Sequence, residues 1–262
     1  MSNKEEMIRA ENINKRFGAL WPAKNINYSL KCNEMASIIG PNGAGKTTFF
    51  NLITGVYIPD EGKVSFSGQD ITRLPAQERV KLGIRRTFQL SSTFSNLKVI
   101  DNLRLAFYQK QQCGNCSLPN MFLSKLVNIN DDSIEQYIDW LGFSKVAYNV
   151  VSSLSLGSKR KLELAMAIIG EPKVLMLDEP FAGLSEAEIE QIVGILRKRC
   201  VNKMAVIIIE HKITWLKGLV DRVSVLVNGE FIADGEYQEV LECIETRKSY
   251  WKIDDQKCEV EK

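Results

Sequence analysis

The chain lacks any apolar run approaching the roughly 20 residues that cross a bilayer as a helix. A helical membrane-spanning protein is excluded on that ground. Its first twelve residues, MSNKEEMIRAEN, have no apolar core, so no secretory signal is expected and the chain should stay in the cytoplasm. A charge excess is missing too. The 34 basic and 32 acidic residues leave a net +2, too balanced to recommend a polyanion, and no nucleic-acid partner is expected. Histidine is almost absent, with His211 alone. The six cysteines include one close pair, Cys113 and Cys116, with no second pair and no nearby histidine. A structural zinc site takes about four ligands. The pair therefore reads as loop thiols, and all the cysteines as free thiols in a reducing compartment. No internal repeat or low-complexity tract is evident. The bulk composition, 45% hydrophobic and 25% charged over 262 residues, is that of a globular chain of about one to two domains. It is too apolar for disorder over most of its length.

The most informative stretch that is present is GPNGAGKTT, Gly40 to Thr48. It follows an apolar run, Met35 to Ile39, that reads as a buried strand, and it leads into a helix over Thr47 to Leu52. It fills the pattern G-x-x-x-x-G-K-[ST] at Gly40, Gly45, Lys46 and Thr47. Phosphate carries dense negative charge, so a site for it needs many donors at close range. Glycines let the backbone curl and aim its N–H groups inward, and the helix start adds a positive dipole end. The residues expected to hold a triphosphate are Asn42, Gly43, Ala44, Gly45, Lys46, Thr47 and Thr48. Lys46 offers an ammonium to the β- and γ-phosphates, and Thr47 a hydroxyl to Mg2+.

Around this loop the pattern predicts strands over Ile8–Asn14, Ile26–Leu30 and Gly62–Phe66, making two early antiparallel pairs. Phe17 either stacks on a base or packs in a core. A helix over Ala76–Leu82 ends at Gly83, and a strand runs from Ile84 to Gln89. Gln89 at a strand end could ligate Mg2+ or be an ordinary loop residue. From about Ser91 to Ser153 the spacing predicts helices over Lys98–Tyr108 and Ser133–Leu141 with a loop at Gln109–Leu118, a helical insertion in an α/β core. Leu154–Ile169 predicts a helix. Ser155, Gly157 and Ser158 at its start are either a second anion site or a plain cap. Lys173–Pro180 reads as a central parallel strand ending in Asp178 and Glu179. Adjacent strand residues point to opposite sides, so the first acid can hold the Mg2+ shell and the second can orient or deprotonate water. A helix over Glu186–Arg199, a strand over Ala205–Ile209 ending at Glu210-His211, a hairpin turning at Asn228-Gly229 and a helix over Glu236–Ile244 follow. A single histidine is usually structural, but this one shares the strand-end placement of Asp178.

Taken in order, Phe17, the loop at 40–48, Gln89, the LSGGQ-like segment at 154–158, Asp178-Glu179, AGLS at 182–185 and His211 resemble the ATPase subunit of ABC transporters over about residues 7–252. The phrases GPNGAGKTTFFNLITG, GIRRTFQ, LDEPFAGL, IIEHKI and TRKSYWK look like those of branched-chain amino-acid importers. Urea or amide importers and some lipopolysaccharide-export ATPases look similar.

The resemblance implies an α/β fold: a P-loop, RecA-like core with an antiparallel β-subdomain (1–90 and 154–240) and an inserted α-helical subdomain (91–153), then a C-terminal helix and polar tail (241–262). It implies ATP and Mg2+ as ligands. Phe17 would lie on the adenine, and Thr47, Gln89 and Asp178 at the metal. Glu179, His211, Gln89 and Lys46 would be catalytic. Ser155, Gly157 and Ser158 would serve the nucleotide of a second ATPase subunit, identical or homologous. The other implied partners are polytopic membrane permeases, gripping the segment around Gln89–Lys98 and the helical lobe, and an extracytoplasmic substrate-binding protein. The chain would then sit on the cytoplasmic side of the membrane.

Two places in the signature depart from the family pattern. Leu156 stands where Gly is usual and Ser158 where Gln or Glu is usual, and Met166 replaces a frequent Arg. These fit a heterodimer with unequal sites. A soluble ABC-type ATPase for ribosomes or DNA would need two cassettes or a long coiled coil. A non-catalytic regulator would lack Glu179 or His211.

Overall fold

The computed structural model describes residues 5–87, 93–112 and 131–242. Two strands open the chain, β1 (Glu6–Phe17) and β2 (Leu20–Lys31). Both run further than simple alternation indicates. Register shifts at Ala10/Ile13 and Ile13/Lys15, with Asn12 and Asn25 at positive φ, break the period of two without breaking the pairing. After β3 (Met35–Ile39) and α1 (Lys46–Thr54), β4 (Glu61–Phe66) and β5 (Gln69–Asp70) join them in an antiparallel sheet ordered β2-β1-β4-β5.

Next come α2 (Ala76–Leu82), β6 (Ile84–Thr87), α3 (Val99–Gln112), α4 (Asp131–Leu141), α5 (Leu156–Ile169), β7 (Val174–Asp178), α6 (Glu186–Arg199), β8 (Ala205–Ile209), the hairpin β9 (Arg222–Val227) and β10 (Glu230–Gly235), and α7 (Tyr237–Glu242). The second sheet is ordered β10-β9-β3-β8-β7-β6. All its neighbours are parallel except β10 against β9. Asn228 and Gly229 both hold positive φ in the hairpin turn, as that two-residue turn requires.

Three strands of the second sheet, β3, β7 and β8, are buried at every position, and their residues alternate between two cores. Ala36, Ile38, Val174, Met176 and Ile207 face the antiparallel sheet and the Phe49, Phe50 and Leu52 side of α1. Met35, Ile39, Leu175, Leu177 and Val206 face the other way, in one core with α3, α4, α5 and α6. Helix α3 continues to Gln112, past the expected end at Tyr108, because Gln and Lys are good helix formers. Cys113, Cys116, the rest of the expected loop, and the tail lie outside the described residues. Cys200 is buried, and burial pushes its thiol up to about 12, which keeps it unreactive. No described helix is long and apolar enough to cross a membrane.

One buried cation holds α1 in place. Arg79, fully buried in α2, donates to the carbonyls of Leu52 (2.7 Å) and Ile53 (2.8 Å) at the end of α1, and to those of Thr72 and Leu74 (both 2.9 Å). These are carbonyls that helix ends and turns leave unpaired. Arg79→Met fills the volume but strands the acceptors. It is expected to cost about 3 kcal/mol, read as a lowered denaturant midpoint.

Candidate functional site

The site is built at the carboxyl edge of the second sheet, the edge where open α/β sheets bind ligands. Ile38 of β3 and Asp178 of β7 are both in register with Ile209 of β8. The chain leaving β3, the acids after β7 and the histidine after β8 therefore emerge side by side.

The loop after β3 is held by close backbone packing. A Cβ on Gly40 would meet the Leu226 carbonyl oxygen at 2.1 Å, and one on Gly45 would meet that of Pro22 at 2.1 Å. Gly45 also sits at φ 107°, in the region open to glycine. The Gly229 N–H donates to the Ala44 carbonyl at 2.9 Å, so the β9–β10 turn braces the loop from outside. Helix α1 starts at Lys46 with Gly45 as a cap that has no side chain. Its first N–H groups therefore have no side-chain acceptor and remain available to an anion. Lys46 is buried and its Nζ donates to the Gly40 and Pro41 carbonyls, at 2.7 and 2.9 Å. Burial lowers its pKa, while Glu179 and Asp178 act in the opposite sense. Both acids thus lie within electrostatic reach of the lysine.

At the strand tips, Asp178 is the last residue of β7 and only 2% exposed. Its Oδ2 accepts from Arg86 Nη2 at 2.5 Å, and Arg86 Nη1 reaches Asn51 Oδ1 of α1. Asp178 Oδ1 is buried and has no hydrogen-bond partner among the described residues. A bare carboxylate oxygen on an acid within electrostatic reach of Lys46 fits a hard cation held by oxygen ligands. Glu179 adopts φ 49°, a left-handed conformation that a non-glycine residue holds at a cost of about 1–3 kcal/mol. A hydrogen bond of 2.9 Å from its N–H to the Ile209 carbonyl fixes it there. Its carboxylate meets His211 Nε2 at 3.2 Å.

The expected residues Lys46, Asp178, Glu179 and His211 are thus brought together. The loop residues Asn42, Gly43, Ala44, Thr47 and Thr48 stand where the motif places them. Phe17 closes β1 opposite Leu20, 41% exposed, with its ring edge-to-face with Tyr57 at 5.1 Å. It is not a core residue. Pro22, which abuts Gly45, follows on the same hairpin. Gln89 lies outside the described residues; β6 is described to Thr87.

Ser155, Gly157 and Ser158 are not joined to the loop by any hydrogen bond among the described residues. They start α5, whose packing partners are α3, α4, α6 and β6. Ser155 caps that helix, its Oγ accepting from the Ser158 N–H at 3.2 Å. Glu188 of α6 accepts from the Ser185 N–H and hydroxyl and, more weakly, from the Gly157 N–H, which together hold its carboxyl below the usual range. Leu156 is half exposed and packs beside Gly183. Sequence reasoning missed Arg86 and Glu210. The signal for both was a charge set in an apolar strand or at its end, which demands a buried partner.

The ABC transporter family profile matches residues 23–182. The chain is 32% identical over 241 residues to the High-affinity branched-chain amino acid transport ATP-binding protein LivG of Escherichia coli (strain K12), covering 90% of this chain and 94% of that one. It is 30% identical over 249 residues to the corresponding BraF of Pseudomonas aeruginosa, covering 93% and 97%. Among solved structures, the ADP conformation of an ATP-binding cassette of an ABC transporter superposes with a TM-score of 0.79 at 29% identity, over 95% of this chain and 99% of that one.

Proposed function

The chain belongs to the ABC transporter family as an ATP-binding and ATP-hydrolysing subunit, and on that premise we propose that it drives import of branched-chain or related amino acids through partner membrane subunits. The observation that supports the cargo class is the 32% identity to a branched-chain amino acid transport protein across nine-tenths of the chain. The meeting of Lys46, Asp178, Glu179 and His211 at one sheet edge supports the assignment of roles.

In this reading the backbone of Asn42–Thr48 and Lys46 bind the triphosphate, and Phe17 lies against the adenine. Thr47 and the bare Oδ1 of Asp178, with Gln89, would hold Mg2+. When bound, that ion neutralises charge on the β- and γ-phosphates. Glu179 takes a proton from the attacking water, and His211, touching Glu179, orients it and contacts the γ-phosphate. Ser155, Gly157 and Ser158 serve the nucleotide of a second, head-to-tail ATPase subunit.

A cleft of about 300 Å3 between the two lobes, lined by Val56, Val80, Ile84, Phe94, Ala106 and Met166, receives a short helix of the membrane subunit. Phe94 is 51% exposed there. Phe94→Asp is expected to abolish co-purification with the membrane subunits and leave ATP affinity intact. Retained association would move the docking site elsewhere. The cargo is tested by ATP-driven uptake in vesicles holding the full complex. Labelled leucine should enter and be competed by isoleucine and valine. Uptake of urea, or outward movement of a lipid, would reassign the cargo.

A further inference from the structure

Glu210 directly precedes His211 and is only 2% exposed. Nothing in the reaction described so far uses it. Its Oε1 accepts the Phe181 N–H at 2.7 Å. Its Oε2 accepts the N–H groups of His211 at 2.9 Å and of Lys212 at 3.1 Å. One carboxylate thus ties together two loops that are remote in sequence, the one after β7 that carries Glu179 and the one after β8 that carries His211. Bonds on either side extend the tie. The Glu179 N–H reaches the Ile209 carbonyl at 2.9 Å, and Lys212 Nζ reaches the Leu184 carbonyl at 3.1 Å.

We propose that Glu210 is a positioning residue for hydrolysis, its carboxylate clamping the loops of Glu179 and His211 into one geometry. The proposal rests on the roles given above to those two residues. A buried carboxylate is costly unless hydrogen-bonded, and apolar packing could have closed this gap without it. An acceptor with two oxygens does what packing cannot: it fixes three N–H groups of two backbones in direction as well as distance. Burial holds the Glu210 carboxyl above its ordinary value, and its three N–H partners offset only part of that rise. The clamp matters because the Glu179–His211 contact spans the two loops and Glu179 holds a strained φ. Misplacement of a catalytic group by about 1 Å can cost on the order of 100-fold in rate.

The test compares the full-length chain with Glu210→Ala and Glu210→Gln, and with Glu179→Gln and His211→Ala, by ATPase kinetics and amide hydrogen exchange. Glu210→Ala is expected to lower kcat about 10- to 100-fold while KM for ATP moves by less than about threefold. Glu210→Gln should fall between, since a single carbonyl oxygen replaces two carboxylate oxygens. Exchange at Phe181, His211 and Lys212 should speed up in the alanine variant, with Ile207 and Ile208 of β8 unchanged. Two results overturn the proposal: wild-type kcat in both Glu210 variants, or faster exchange at Ile207 and Ile208 as well, which would make Glu210 a general prop of the fold. If Glu179→Gln and His211→Ala also keep turnover, the roles of those residues fail first, and the exchange pattern still reports on the clamp.

Discussion

Glu179→Gln should bind ATP as the wild type does and hydrolyse it about 10²- to 10⁴-fold more slowly, the range by which a placed general base accelerates a reaction. The substitution keeps the size of the side chain and its acceptor toward His211 while removing the basic oxygen. The φ of 49° and the hydrogen bond to the Ile209 carbonyl belong to the backbone, so the loop keeps its shape. In the proposed reading, binding rests on the loop after β3, which the change does not touch. ATP should therefore stay bound and trap a closed dimer, visible as a second species in size-exclusion chromatography with ATP. Turnover within a few-fold of wild type would remove Glu179 as the base.

The second large effect is expected at Lys46. Lys46→Ala deletes an ammonium that is buried and held by two loop carbonyls. A hydrogen bond to a charged group contributes about 1.5–3 kcal/mol, so loss of contacts to two phosphates should weaken ATP binding on the order of 100-fold or more. The fold should tolerate the change, because the Gly229 N–H still holds the loop at the Ala44 carbonyl once the lysine's bonds to Gly40 and Pro41 are gone.

The same residue sets a pH dependence. Only the protonated lysine attracts phosphate, and burial has lowered its pKa from 10.5 in the nucleotide-free chain. ATP affinity should fall as pH rises through that lowered value, and ATP binding in that window should take up protons. Both effects vanish in Lys46→Ala. Unchanged affinity in that variant would separate the loop from nucleotide binding.

What the sequence made legible was whatever is encoded over a short stretch. The phosphate loop needs its glycines at fixed spacing, and the strand ends at Asp178 and His211 follow unbroken apolar runs. Each could be read where it stood. The partnering across the sheet could not. Nothing near Arg86 announces that its guanidinium spans from Asn51 to Asp178, and nothing near Glu210 names Phe181, 29 residues earlier, as its donor. Both depend on the order β3-β8-β7-β6, which is a property of the whole sheet. The first two strands were underestimated for a local reason: bulges at the asparagines spoil the alternation on which a strand is recognised. Local sequence leaves Phe17 between a base and a core, and it is the hairpin that leaves its ring half exposed.

In the proposed reading, a triphosphate in the Gly40–Thr48 cradle has its far end beside the acids and the imidazole at the neighbouring strand tips. The single histidine makes this directly measurable, since its ring proton signals in NMR belong to His211 alone. Adding ATP with Mn2+ in place of Mg2+ to the full-length chain should broaden those signals strongly, and Lys46→Ala should abolish the broadening at the same concentrations. Sharp, unshifted ring signals in wild-type chain saturated with the manganese nucleotide would contradict it.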